Sequence, residues 1–407
     1  MNPKIAFGTY RISDHLVEHI QALKSAINAG VKLIDTSTNY MDGGAERAIA
    51  IAMNDCDESL TCKLEIISKF GYLQGSTLKR IKEDGENFPE MVKFAEQVYH
   101  CIHPEFLKDQ LSQSLSRLHV KKIDSYLIHN PEYYILDALN NNIEPEVALD
   151  GMFERIYNAF VALELEVKAG RIRSYGISSN SFAKPVDDLE FLPYEDLIIF
   201  AKNAAQEAGN DKHNFTTIEL PINLLEREGL KCASWAKKQG LRVLANRPLN
   251  AQKEALMFRL AEYDEPREYF HHLNAILELV EGESTKSISN LIEQLDSNRH
   301  RFGWIGEYDS FLHRQIIPHL SKALENLEEV AQDSLAQNLD QYLSQYKKMV
   351  AFECSKTTKI SLKNELEGCK KRLQACALEF LLKNENIDYV LVGMRKTSYI
   401  YDVVGLA

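Results

Sequence analysis

Four ionisable side chains stand where apolar runs stop. The run from Val31 to Ile34 delivers Asp35, and Tyr40 follows five residues later in a polar loop containing Gly43 and Gly44. Leu64-Glu65-Ile66-Ile67-Ser68 leads to Lys69, and Ile123-Asp124-Ser125-Tyr126-Leu127-Ile128 leads to His129. A phenol, an ammonium, a carboxylate and an imidazole are the parts of a proton-transfer site. A free phenol has a pKa of about 10, too high to release its proton readily at neutral pH, and a nearby cation lowers that value by stabilising the phenolate. Lys69 is the candidate cation, and Asp35 the partner that spares a buried ammonium from standing alone. A neutral His129 can donate a hydrogen bond to an oxygen that gains charge. Singly, each has a bland role: Asp35 caps a loop, Tyr40 packs, His129 is a satisfied strand-end histidine. Only the four together make a proton-transfer site.

Strand ends need a common face, and the chain supplies one. Apolar strands are read at Lys4 to Thr9, Val31 to Asp35, Leu64 to Lys69, Ile123 to His129, Ile172 to Ser178, Phe215 to Leu220, Leu241 to Asn246 and Asp388 to Val392. Helical patterns fall between them. His15 to Ala29 carries Leu16, Ile20, Leu23 and Ile27 on one face and ends at Gly30. Others run from Ala45 to Met53, Gly151 to Ala169, Pro193 to Ala208, Leu230 to Lys238 and Ser398 to Val404, with further helical faces at Leu107/Leu111/Leu115/Leu118 and Leu366/Cys369/Leu373/Ala377/Phe380. Eight strands alternating with helices imply a (β/α)8 TIM barrel over residues 1–407, whose working face lies at the C-terminal strand ends. A doubly wound sheet is disfavoured because no G-x-G-x-x-G follows the first strand.

Two connections are too long for ordinary loops. Gly71 to Pro104 is polar and is read as functional or locally folded. The other, residues 251–350, is a mainly helical insertion between strands seven and eight. Tyr269, Leu273, Ile276 and Val280 mark one helix; Leu320, Leu324, Leu327 and Ala331, behind Pro318 near a helix start, mark a longer one. With seventeen acidic and ten basic residues, this stretch carries much of the chain's net charge of −12. Its aromatic segment Phe302, Trp304, Tyr308, Phe311 is read either as a wall over the site or as ordinary packing.

Composition closes off several classes. Apolar residues at 45% and charged residues at 26% are globular values. The acidic balance excludes a general nucleic-acid binder. No apolar run approaches the roughly 20 residues of a membrane span, and Met1-Asn2-Pro3-Lys4 opens no signal sequence, so a cytoplasmic protein is expected. The seven cysteines are odd in number and scattered, which suits reduced thiols, with Cys369 and Cys376 on a helix facing the core. No metal site is expected: Tyr99-His100-Cys101-Ile102-His103 lacks a full ligand set, and His271-His272 reads as helix surface. Nothing fixes the oligomeric state.

The spacing from Asp35 to Tyr40 to Lys69, with His129 inside Ser125-Tyr126-Leu127-Ile128-His129-Asn130-Pro131-Glu132, resembles the aldo-keto reductase superfamily. The motifs Gly8-Thr9-Tyr10, Ile34-Asp35-Thr36-Ser37, Tyr175-Gly176-Ile177-Ser178-Ser179-Asn180 and Val392-Gly393-Met394-Arg395 extend the resemblance from Ile5 to Asp402. It implies NADP(H)-dependent reduction of an aldehyde or ketone, with Tyr40 as general acid, Lys69 and Asp35 tuning it, and His129 orienting the carbonyl. It also implies a cofactor site. Gly8, Thr9, Tyr10 and Asp35 border it, Ser178, Ser179 and Asn180 meet the nicotinamide amide, and Asn246, Arg247, Pro248 and Leu249 lie along the pyrophosphate. Gly393, Met394, Arg395 and Lys396, with Tyr399 and Asp402 nearby, meet the adenosine 2′-phosphate. Adjacent Arg395 and Lys396 favour NADPH over NADH. Two departures stand out: Glu219 where the family commonly keeps a glutamine, and Arg247, a potential extra phosphate ligand. A sensor or regulatory barrel that binds NADP(H) with little catalysis is the alternative, and a Schiff-base aldolase using Lys69 a third.

Overall fold

The computed structural model describes residues 2–85, 87–254, 256–325 and 329–405. Eight parallel strands close into a barrel: β1 (Ile5–Gly8), β2 (Leu33–Asp35), β3 (Glu65–Phe70), β4 (Ile123–His129), β5 (Ile172–Ser178), β6 (Phe215–Pro221), β7 (Arg242–Asn246) and β8 (Tyr389–Val392). Around the ring the order is β1, β8, β7, β6, β5, β4, β3, β2, so consecutive strands are neighbours throughout and β8 closes on β1. The expected (β/α)8 fold is present, with β4 and β5 at the expected residues.

Period-two alternation builds the barrel interior. Ala6, Leu33, Ile67, Leu127, Leu244 and Leu391 form one apolar layer. Two residues further along the same strands stand Gly8, Asp35, Lys69, His129, Asn246 and Gly393. The polar level is therefore the next inward-facing layer, at the C-terminal ends of the strands. Close approach is demanding elsewhere in the ring: a Cβ on Gly176 would lie 2.0 Å from the Thr217 carbonyl oxygen on β6.

Gly71 to Pro104 is locally folded. It holds a helix, Gly75–Asp84, and a three-stranded antiparallel sheet in the order Tyr72–Leu73, Val98–His100, Val92–Ala95.

Two compact units divide the chain: residues 1–248 with 378–407, and Leu249–Ala377. The second is wider than residues 251–350 and opens with a hairpin, Asn250–Lys253 with Leu256–Arg259, that the sequence reading missed. Its helices are Tyr269–Leu279, Lys286–Asn298, Ile305–Phe311, Ile317–Leu324 and Glu329–Ser361. Tyr269, Leu273, Ile276 and Val280 are buried in its core, as the helical spacing requires, together with Leu320, Tyr342 and Tyr346. Leu324 packs against that core, and Leu327 lies outside the described residues. Tyr308 belongs to the same core, with Phe302 and Phe311 packed on it. These rings serve the unit's own interior.

One expectation fails outright. Cys369 and Cys376 are joined as a disulfide, with their Cα atoms 6.1 Å apart. A helix through both would hold them roughly 10 Å apart, at 1.5 Å per residue. The helix starts only at Leu373, Leu366 lies in a turn and Cys369 in irregular chain after it, which lets the chain fold back.

Candidate active site

Lys69 sits at the centre of the polar level and is fully buried. Its Nζ donates to Asp35 Oδ1 at 2.5 Å and to the Thr36 carbonyl at 3.1 Å, and lies 3.2 Å from Glu219 Oε2. The same ammonium is 5.3 Å from the centre of the Tyr40 ring. Tyr40 in turn meets His129 edge-on, with ring centroids 6.0 Å apart, and Tyr10 at 5.3 Å. The four residues singled out from the sequence thus share one end of the barrel.

One lysine between two carboxylates shapes the electrostatics. Burial would drive the Lys69 ammonium toward neutrality, but Asp35 and Glu219 outweigh it and hold the lysine charged. Burial, then the Glu219 charge, pushes the Asp35 carboxyl well above its ordinary range against the pull of Lys69. Tyr40 departs from expectation. Burial raises the phenol by more than Lys69 lowers it, and Asp35 and Glu219 add to the rise. The cation does act on the phenol, yet burial outweighs it, so Tyr40 is held protonated. His129 is neutral as expected, its pKa driven well down by burial first and by Lys69 second.

Several site residues were missed. Ser37, two residues beyond Asp35, places Oγ 3.1 Å from His129 Nδ1 and 2.7 Å from Asn39 Oδ1. His100 Nε2 donates to the His129 carbonyl at 2.7 Å, a contact that passes beside Gly71, where a Cβ would lie 2.6 Å from that nitrogen. Burial takes His100 down to about 4, so it is neutral near pH 7. Tyr72 packs edge-on against His129 at 4.9 Å, and its hydroxyl accepts from Asn130 Nδ2 at 2.6 Å and donates to the Tyr133 hydroxyl at 3.1 Å. Glu132 accepts from Ser179 Oγ at 2.8 Å and from the Asn180 backbone N–H at 3.0 Å, fixing the turn after β5. Its strand-end position was the available signal; His100 had none, because its role depends on a sheet too short to read.

The residues expected around a cofactor are spread over the strand ends. Thr9 Oγ1 donates to the Asp35 carbonyl at 2.8 Å, and Tyr10 is 65% exposed at the mouth. Ser178 is buried at the end of β5, and Asn180 Nδ2 donates to Asn130 Oδ1 at 3.3 Å. Asn246 Nδ2 donates to Glu219 Oε1 at 3.0 Å, while Asn246 Oδ1 is buried without a hydrogen bond. Arg247, with a left-handed φ of 51°, is paired with Glu226 at 2.7 Å. Pro248 is buried, and Leu249, the first residue of the other unit, accepts there from the Leu260 N–H at 2.9 Å. After β8, Met394 is buried, Gly393, Arg395, Lys396 and Asp402 are exposed, and Tyr399 is intermediate. Among the described residues no cluster of ligands for a metal ion occurs, and no helix is long and apolar enough to cross a membrane.

Among solved structures, the glycerol dehydrogenase AKR11B4 of Gluconobacter oxydans is similar at a TM-score of 0.50 and 18% identity, over 99% of this chain and 86% of that one. The holo aldo-keto reductase AKR11C1 of Bacillus halodurans gives 0.48 and 13%, over 99% and 86%. An aldo/keto reductase of Klebsiella pneumoniae in complex with NADP and acetate gives 0.46 and 15%, over 99% and 85%. At such identities the likeness is one of fold. No curated protein matches the sequence. The model of the aldo/keto reductase family matches residues 4–407, and the chain belongs to that family of oxidoreductases acting on small carbonyl compounds.

Proposed function

We propose that this chain reduces an aldehyde or ketone to an alcohol with NADPH. The observation that carries the reading is the approach of the half-buried Tyr40 to Lys69 and His129 on the buried polar level that Asp35 shares. The chain's own residues fit the cofactor: Asn246 Oδ1 is a buried acceptor awaiting a donor, and exposed Arg395 and Lys396 suit a doubly charged phosphate. Ser178, Ser179 and Asn180 would hold the nicotinamide amide. Gly8 and Gly393 bring no side chain to that level. Arg247 reaches a phosphate only by leaving Glu226.

Bound there, NADPH would supply a hydride to the carbonyl carbon. Negative charge then grows on the carbonyl oxygen, and Tyr40 protonates it. Starting from a firmly protonated phenol is consistent with that direction. Lys69, held charged by its two carboxylates, stabilises the phenolate left behind. The imidazole of His129 orients the carbonyl through Nε2, since Nδ1 is engaged by Ser37.

A charged, doubly paired Lys69 is a poor nucleophile, which argues against the aldolase reading. Glu219 on the ammonium, in place of the family's common glutamine, is what favours a cofactor sensor. NADPH oxidation over a carbonyl panel, beside cofactor titration, separates the two. Tyr40→Phe should lower kcat by about a hundredfold or more while leaving the NADPH Kd unchanged. Retained turnover in that variant removes Tyr40 as the proton donor; cofactor binding with no turnover by the unmodified protein favours the sensor.

A further inference from the structure

Ser37 Oγ has three polar neighbours: Asn39 Oδ1 at 2.7 Å, His129 Nδ1 at 3.1 Å and the Lys69 carbonyl at 3.4 Å. It is fully buried, so water does not relieve the competition, and a serine hydroxyl has only one proton to give. His129 is held neutral by burial, so one of its ring nitrogens carries a proton and the other a lone pair. The chain Asn39, Ser37, His129 therefore has two polarities. With the amide oxygen of Asn39 toward Ser37, as in the structure, the hydroxyl donates to it; His129 Nδ1–H must then donate to Oγ, and Nε2 is bare. With the amide turned half around χ2, its NH2 donates to Oγ, the hydroxyl donates to Nδ1, and Nε2 carries the hydrogen. Among the described residues Nε2 has no hydrogen bond of its own to bias the choice.

We propose that Ser37 and Asn39 are a positioning pair that decides which nitrogen of His129 holds the proton, and that carbonyl reduction needs the Ser37 proton on His129 Nδ1 and not on the side chain at position 39. A bare Nε2 presents a lone pair to the carbonyl oxygen and repels it; Nε2–H attracts it more strongly as charge develops there. The pair deepens the reductase reading, and its kinetic consequence rests on that reading, whereas its effect on the ring proton does not.

The test compares Asn39→Asp with Asn39→Ala. A carboxylate nearly matches the amide in shape but only accepts, so it locks the chain with Nε2 bare. Alanine frees the Ser37 proton for Nδ1, nearer than the Lys69 carbonyl, and retains Nε2–H. The expected kcat for aldehyde reduction is at least about tenfold lower in Asn39→Asp than in Asn39→Ala, with NADPH Kd values alike within about twofold. A packing role predicts the reverse order, since alanine removes more contact. Nitrogen-15 NMR of the labelled histidines should show His129 protonated at Nδ1 in Asn39→Asp and at Nε2 in Asn39→Ala. In a Ser37→Ala background that difference should vanish. Equal tautomers in the two variants, or an alanine variant as slow as the aspartate, overturns the proposal. If the unmodified protein binds NADPH but reduces no carbonyl, the reductase reading falls, and the NMR comparison still decides the role of the pair.

Discussion

Glu219→Gln removes one of the two carboxylates that share the Lys69 ammonium. With Asp35 and Glu219 at 2.5 and 3.2 Å from Nζ, their nearest oxygens are no more than about 5.7 Å apart, where like charges repel by at least about 3 kcal/mol at an effective dielectric of about 20. Asp35 is held above its unfolded value of 3.8 by burial and by this repulsion. Between those two values the folded chain binds more protons than the unfolded one, so this contribution to stability is full below pH 3.8 and is lost as pH rises through the folded value. Glutamine removes the repulsion and leaves Lys69 to Asp35 alone. Urea unfolding of both proteins from about pH 4 to pH 8 should show the variant gaining on the parent as pH rises, by about 3 kcal/mol. Parallel stability curves would refute the shared-ammonium account. Glu219 is also one of the charges raising Tyr40, so the alkaline fall of kcat/KM should move to lower pH in the variant.

Two further substitutions test the frame of the site. Glu132 is pushed up to about 7 by burial, so the folded chain keeps a proton that the unfolded chain loses above its ordinary value of 4.5. Stability should then decline from pH 5 to pH 7.5, and Glu132→Gln should flatten that decline in Tm; equal slopes reject the assignment. Gly176→Ala drives a methyl into the Thr217 carbonyl and should cost about 3 kcal/mol or more in urea unfolding, because backbone must move. A loss under about 1 kcal/mol would mean that β5 and β6 separate freely.

The strands were legible because burial on both faces writes long apolar runs, and an ionisable residue at the end of such a run is conspicuous. Ile123–His129 and Ile172–Ser178 were therefore bounded without error. Short elements carry no such signature. The strands Tyr72–Leu73, Val92–Ala95 and Val98–His100 are two to four residues long and mostly not buried, so nothing marked His100 as part of a sheet. Cys369 and Cys376 misled because a spacing of seven fits a helix and a short closed loop equally well. The direction of the Tyr40 shift was beyond reach for another reason: it depends first on how deeply the phenol is buried, which outweighs Lys69, and sequence order does not disclose that depth. Ser37 was quoted within a motif, but its hydroxyl acquires meaning only when β4 brings His129 beside it.

The polar layer has a consequence for how the barrel assembles. Lys69 and Asp35 face inward only because Ile67 and Leu33 do, two positions earlier in the same strands. Sliding β3 by one residue would turn the ammonium outward, to where Ser68 now donates to a Glu46 already paired with Arg117, and set the Ser68 hydroxyl against the apolar interior. The charges thus act as a lock on strand alignment: a chain that closes out of step is penalised at the site before any substrate arrives.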